Sequence, residues 1–323
     1  MAISLATAQK LSQDRLVKGI IEEVRKASPL LEKLSFMNVT GNALKVVRES
    51  DTMGSAGFLG ANDIITSTEA DFNTDTFALY FAVTQADVPN MYRAVMSDFN
   101  DQMKAQVRIK AKKMAWLVEQ QLFYGDADAS NGFDGLNSIV TDWYTGDGFT
   151  ARPRHFVMAA GSDDPLSIMK LDEVIDSFTG GDPDVMIMSK QMRRRFASYL
   201  RTVSQIEDMG RDNWGNYMEG YRNIPILVSD QITDTETATA AVGTAVASTG
   251  GSSTSIYLLR FGEGDGFVGL QNGGIKTEYF ETLEDKDASR VRMKWYVGVA
   301  PYSTDCVAVL NNIAPDEAVV SGL

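Results

Sequence analysis

Residues 89–124 read as one continuous helix, well beyond the roughly 10–14 residues of an average globular helix. At 1.5 Å per residue such a helix would span about 50 Å, where a small domain measures about 30 Å across. Met96, Phe99, Met103, Val107, Met114, Leu117 and Val118 fall on one arc of the helical wheel, and Asp101, Lys104, Arg108, Lys112 and Glu119 on the opposite arc. Lys110 interrupts the apolar arc, and towards the C-terminal end Ile109, Trp116 and Phe123 add a second apolar side. The pattern predicts an amphipathic rod, packed on one side along most of its length and covered on both near its end. A flat, elongated molecule follows more readily from such a rod than a sphere does.

With 323 residues, 44% of them hydrophobic and 23% charged, the chain is long enough for two packed units and too apolar to be disordered in bulk. Its single cysteine, Cys306, has no internal disulfide partner and precedes the apolar run Val307-Ala308-Val309-Leu310, which predicts a buried thiol. Residues 1–11 lack a basic segment leading into a long apolar core, and no later run reaches about 18 apolar residues. The expectation is a soluble, cytoplasmic protein with no membrane span.

A net charge of −13 argues against a protein that grips nucleic acid by neutralising phosphates. The charge is unevenly spread. Residues 1–33 and the long helix lean basic, whereas residues 49–75 hold Glu49, Asp51, Asp63, Glu69, Asp71 and Asp75 with no Lys or Arg. Opposite local charges on one chain suit copies that dock head to flank.

Ahead of the long helix, residues 6–26 read as a helix with Leu11, Leu16, Ile20, Ile21 and Val24 inward, stopped at Ser28-Pro29. The turn Gly41-Asn42 opens a strand over 43–48, and its expected partner is 75–88, where Phe77, Leu79, Phe81 and Val83 alternate with Ala78, Tyr80, Ala82 and Thr84. Between them lie Gly54, Gly57, Gly60 and many small polar residues, which makes a long hairpin with an acidic tip. A lone hairpin is marginal in water, so this one needs a partner surface. After the long helix, a glycine-rich loop starts at Gly125 and leads into alternating elements: helices over 171–178 and 190–203, and strands over 184–189, 224–229 and 255–261. Residues 233–254 are almost entirely Ala, Thr, Gly, Ser and Asp and read as a low-complexity loop. Strands over 266–270, 275–281, 288–299 and 305–310 close the chain.

No set of residues assembles a reaction centre. His155 is the only histidine and has no second His or Cys at metal-ligand spacing, so it reads as a surface or half-buried side chain. Gly264-Asp-Gly-Phe-Val-Gly269 matches a dinucleotide fingerprint letter by letter, yet a strand follows it where a phosphate site needs a helix N-terminus. Asp126-x-Asp128-x-Ser130 opens like a calcium loop but has Asn131 where the loop needs glycine and Asn137 where it needs glutamate. Ser189 lacks the glycines of a nucleophile elbow. The acidic pairs Asp163-Asp164 and Glu284-Asp285 sit in polar, turn-like contexts. The run Arg193-Arg194-Arg195 at the start of a helix reads as a solvated face or as a salt bridge to acids of a neighbouring subunit. The expectation is no catalytic residue, no cofactor and no metal.

The order of elements, more than any one of them, resembles the major capsid proteins of tailed bacteriophages with the Hong-Kong-97 type fold. The pieces that carry the resemblance are Glu-Gln-Gln-Leu-Phe-Tyr-Gly at 119–125 leading to Gly135-Leu136, the step Asp-Val-Met-Ile-Met-Ser-Lys-Gln-Met-Arg at 184–193, Gly-Tyr-Arg-Asn-Ile-Pro-Ile-Leu-Val-Ser-Asp at 220–230, and the closing strands, in which Arg290, Arg292 and Lys294 alternate with apolar residues. The resemblance implies an α+β fold with an N-terminal arm (1–33), an extended β-hairpin or E-loop (41–89), a peripheral domain holding the spine helix (34–40, 90–135 and 261–323), and an α/β axial domain (136–260). It further implies pentamers and hexamers that close into an icosahedral shell around double-stranded DNA. Portal and scaffolding proteins would be partners, and a decoration protein a further one. Assembly would take place in the host cytoplasm and end in the virion. Residues 42–88 hold only Lys45, at the hairpin base, so the covalent cross-link of some family members is not expected, and residues 1–33 are too short for a cleaved scaffolding segment. Encapsulins, cellular nanocompartments of the same fold, are the alternative, and an α/β enzyme a more distant one.

Overall fold

The computed structural model describes residues 28–49, 58, 72–91, 99–128, 131–145, 154–159, 163–203, 207–211, 217–239, 246–281 and 283–322. The segment 6–26 and, apart from Phe58, the hairpin tip lie outside the described residues. In chain order the first elements are α1 (Pro29–Lys33), β1 (Phe36–Asn38), β2 (Ala43–Glu49), β3 (Phe72–Ala78), β4 (Tyr80–Pro89), α2 (Phe99–Tyr124), α3 (Leu136–Thr145) and β5 (His155–Val157). Then come α4 (Ile168–Asp176), β6 (Val185–Met188), α5 (Lys190–Val203), β7 (Glu207–Arg211), β8 (Tyr217–Tyr221) and β9 (Ile224–Val228). The last are β10 (Thr254–Leu259), β11 (Phe267–Gln271), β12 (Lys276–Phe280), β13 (Ala288–Pro301) and β14 (Val307–Ile313).

The strands form two large sheets and one ribbon. In the five-stranded sheet β13 is the axis: β4 runs antiparallel along one edge from Ala288↔Pro89 to Val297↔Tyr80, while β12 and β11 share the other. The alternation seen in the sequence is realised here, since Val291, Met293, Trp295 and Val297 are buried between Arg290, Arg292 and Lys294. Arg290 donates two bonds to its cross-strand neighbour Asp87, at 2.7 and 2.9 Å. These bonds, with Lys286 alongside, hold the Asp87 carboxyl down to about 2.

The seven-stranded sheet runs β5-β14-β10-β6-β9-β8-β7 and is a layer between helices. Met186, Met188, Ile226, Ile256, Leu258, Ala308 and Leu310 share one core with α4 and α5. Val185, Ile187, Tyr257, Leu259, Val307 and Val309 face the other way, towards Leu122 and Phe123 of α2 and Leu136, Ile139, Val140 and Trp143 of α3. That second core also takes in Phe267, Val291, Met293, Trp295 and Val299 of the five-stranded sheet. One continuous apolar body therefore spans both sheets, and α2 lies in it.

Two expectations are corrected. The run 75–88 is not one strand: β3 pairs with β2 from Ala43↔Ala78 to Glu49↔Phe72, and after Leu79 the chain leaves the ribbon and β4 joins β13. Gly298 permits this step, because a Cβ there would lie 2.6 Å from the Ala78 carbonyl oxygen. Strand β14, expected to group with the other closing strands, lies instead in the seven-stranded sheet between β5 and β10. It is buried along its whole length, and a strand apolar on both faces suits a sheet covered on both sides. Residues 233–254, read as a loop, are tied together at their described ends, where Glu236 and Ser253 exchange backbone bonds of 2.9 and 3.2 Å.

Helix α2 has 26 described residues, and helical backbone also appears at Asn90 and Met91, directly after β4; residues 92–98 lie outside the described set. Its buried side comprises Val107, Ala111, Met114, Ala115, Val118, Leu122 and Phe123. Leu117, expected inward, is 47% exposed, and Ile109 and Trp116, expected to form a second buried side, are 53% and 43% exposed. Glu119, expected outward, is buried and accepts a 2.7 Å bond from Ser229 Oγ. Two alanines in the buried stripe let the neighbouring elements approach closely and rotate the stripe away from Leu117.

Two carboxyls are thus enclosed where α2 meets the segment after β9. Burial pushes Glu119 up to about 7, against hydrogen bonds from Ser229 and Ser28, and Asp230 adds to the rise. Burial pushes Glu236 up to about 8; Ser255 and Tyr124 donate to it, and Asp234 again raises it. An acid whose folded value exceeds its unfolded value of 4.5 binds more protons when native between those two values, so stability falls as pH rises from 4.5 to about 8 and levels off above. Thermal melts across that window fall for the wild type, and for Glu119→Gln/Glu236→Gln the fall is smaller. Val107→Asp places an unpaired charge in the core and costs about 3–5 kcal/mol, read as a lower denaturant midpoint with an unchanged slope.

Candidate assembly surfaces

The side chains with chemical potential are used to build the fold. His155 is buried, not half-exposed as expected, because it starts a strand paired with the fully buried β14; its Nε2 lies 2.6 Å from Asn311 Nδ2, which also donates to Asn137 Oδ1 at 3.2 Å. Burial lowers the imidazole to about 4, so it is neutral at physiological pH. Ser189 caps α5, accepting from Met192 N at 3.1 Å while donating to Asp234. Asp126 and Asp134 accept backbone bonds from Asp128 (2.9 Å) and Ala127 (2.7 Å), which fasten the glycine-rich loop. Gly135 lies so close to the end of α2 that a Cβ would sit 2.6 Å from Gly125 N. Among the described residues, no group of three His, Cys, Asp or Glu could hold a metal ion.

The remaining candidates are likewise structural. Gly264 adopts φ +114° in a turn, and strand β11 follows directly. Cys306 is buried and bonded to the Ser303 carbonyl. Asp163 accepts from Ser252 Oγ at 2.5 Å, and Glu284 and Asp285 are exposed in the β12–β13 connection. Arg193 reaches Glu219 at 3.5 Å within the same chain. Arg154, which sequence reasoning passed over, is buried and paired with Asp305 and the Ser177 carbonyl. No helix among the described residues is long and apolar enough to cross a membrane.

What remains exposed is apolar surface. The β2–β3 ribbon is anchored at its base, where Leu44, Phe77 and Leu79 pack on Val39, Leu270 and Ala300, and among the described residues it has no third strand. Further out, Val47 is 64% exposed. On the outer face of β4 and β13, Phe81 and Val83 are exposed, and the Phe81 and Tyr296 rings lie 5.3 Å apart. An open apolar hollow of about 230 Å³ lies between this face and α2, lined by Tyr80, Phe81, Leu117, Val118 and Phe133. Phe81, Val83, Leu117 and Tyr296, with Ile109 and Trp116 elsewhere on α2, are exposed large apolar side chains of the kind that mark association. His155→Ala leaves Asn311 without its ring partner and lowers stability by about 1–3 kcal/mol, measured by denaturant unfolding.

No protein-family model and no curated protein sequence matches the chain. Solved structures do. The holo-SrpI encapsulin complex of Synechococcus elongatus PCC 7942 aligns with a TM-score of 0.65 at 18% identity, covering 98% of each chain. The capsid of cyanophage A-1(L) aligns at 0.62 and 15% identity, over 94% of this chain and 96% of that one. The capsid of the native GTA particle aligns at 0.59 and 14%, over 93% of each. At such identities the likeness lies in the fold, and it runs from end to end. The two sheets, the long helix and the ribbon together are the mixed α+β, Hong-Kong-97 type fold of phage capsid and encapsulin shells.

Proposed function

We propose that the chain is the major capsid protein of a tailed bacteriophage, assembling through pentamers and hexamers into an icosahedral shell around double-stranded DNA. The observation that carries this reading is the match to capsid subunits over 93–94% of the chain. In this reading α2 is the spine helix and the β2–β3 ribbon is the base of the E-loop. The five-stranded sheet with α2 forms the peripheral domain, and the seven-stranded sheet with α3, α4, α5 and the returning β14 forms the axial domain. Residues 1–33 are the N-terminal arm. Portal and scaffolding proteins are the expected partners, and the subunits assemble in the host cytoplasm.

The physics supports the role. A container built of acidic subunits holds DNA weakly, which favours filling and release. A ribbon without a third strand gains order from a neighbour, so assembly is cooperative. Many weak contacts repeated over a closed surface give a stable whole.

A cellular nanocompartment is the second reading, favoured by the match to the encapsulin complex over 98% of both chains. Expression of the chain followed by negative-stain electron microscopy tests the shell; particles that remain small under crowding conditions overturn it. Nuclease-protected DNA in particles from infected cells supports the phage, and a co-purifying protein cargo the nanocompartment. Deleting residues 52–73 leaves a folded subunit that forms no closed shells, and normal particles from that variant would remove the ribbon from the assembly.

A further inference from the structure

Helix α5 holds five of the chain's 30 Lys and Arg and none of its 43 acids. Its apolar side, with Met192, Phe196, Ala197 and Leu200, is buried on the seven-stranded sheet, which fixes the orientation of the rest. Lys190 and Arg193 are paired within the chain, with Asp230 at 2.6 Å and Glu219 at 3.5 Å. Arg194, Arg195 and Arg201 are exposed, and Arg194, Ser198 and Arg201 lie one above another on the helix surface. Among the described residues none of these three arginines has a carboxylate partner.

A face of like charges left unpaired on a chain of net charge −13 is attracted to other copies of that chain. A polyanion is the weaker candidate, because three arginines on an acidic body neutralise few phosphates. The same chain also carries a surface of opposite sign. Helix α4 packs on the same side of the sheet as α5 and exposes Glu173 and Asp176, with side chains 57% and 64% accessible. Its three carboxylates, Asp172, Glu173 and Asp176, share two cations, Lys170 and Arg222. One negative charge is left over, beside Phe156 and an exposed Met169 that suit the stem of an arginine.

We infer that the Arg194, Arg195 and Arg201 face of α5 docks on the α4 surface of the next copy, so that each subunit offers one half of a head-to-tail contact that closes into a ring. The inference rests on the reading of the chain as a shell subunit, and wild-type particles test that reading separately. In a background where the wild type assembles, Arg194→Glu/Arg195→Glu keeps the monomer's circular dichroism and melting temperature. It lowers the yield of rings and shells by about tenfold or more. Adding Glu173→Arg/Asp176→Arg to the same chain restores them. Should the reversed arginines impair folding, Arg194→Gln/Arg195→Gln serves instead, and the salt dependence of its assembly is flatter than that of the wild type. Wild-type yields and salt dependence in these variants overturn the contact. Failure of the fourfold variant to recover removes α4 as the partner surface and overturns the pairing. Normal shells that have lost only their nuclease-protected DNA overturn it in favour of nucleic acid.

Discussion

The burial of one helix against two sheets is the constraint on which the rest of the structure depends. From Val107 to Phe123, α2 presents a narrow stripe of alanine, valine, methionine and leucine, and that stripe shares one core with β13 on one side and with β6, β10 and β14 on the other. Without it the five-stranded sheet would lose its cover on this face and the seven-stranded sheet would keep only α3 there, and the helix itself, with little amphipathic contrast beyond the stripe, would lack reason to be straight and ordered. The apolar body therefore couples the two halves: a residue lost from α2 is felt by strands far apart in sequence. Helices α4 and α5 cover the opposite face of the seven-stranded sheet with a core of their own, and the ribbon is attached to the frame at its base.

Polar groups are placed where the frame changes direction. Glu119 and Glu236, Ser28, Ser229 and Ser255, and the Tyr124 hydroxyl join the end of α2 to the first helix, to the segment after β9 and to the start of β10. Hydroxyl donors facing carboxyls, with no cation among the groups that act on them, make a joint that is geometrically specific but holds best when protonated. In the five-stranded sheet the choice is the opposite, with arginine and lysine facing Asp87 across the strands in partly exposed positions. The first arrangement fixes a junction and the second fixes a register.

Much of this was legible in the sequence, and the failures have physical causes. The long helix, the alternation of Arg290, Arg292 and Lys294 with apolar residues, and the strand and helix at 184–203 follow from periodicity alone. Helix α3 was missed, although Leu136, Ile139, Val140 and Trp143 stand at helical spacing, because the glycines before it drew the reading towards a loop. Leu117 and Glu119 were assigned to the wrong sides because alanines, which carry little hydrophobic signal, set the packing side of α2. The placing of β14 could not be read locally: a run apolar on both faces fits either sheet, and only the long-range pairing decides. His155 fared the same way, its burial following from the strand that accepted it as a neighbour.

The step at Gly298 has an evolutionary consequence. The ribbon departs from the sheet where one backbone passes over another, and the requirement this sets on the chain is the lack of a side chain at a single position. Junctions made from main-chain atoms leave their surroundings free to drift. Side chains around the crossing are then free to change by substitution, while position 298 is not, since any Cβ there would meet the Ala78 carbonyl oxygen.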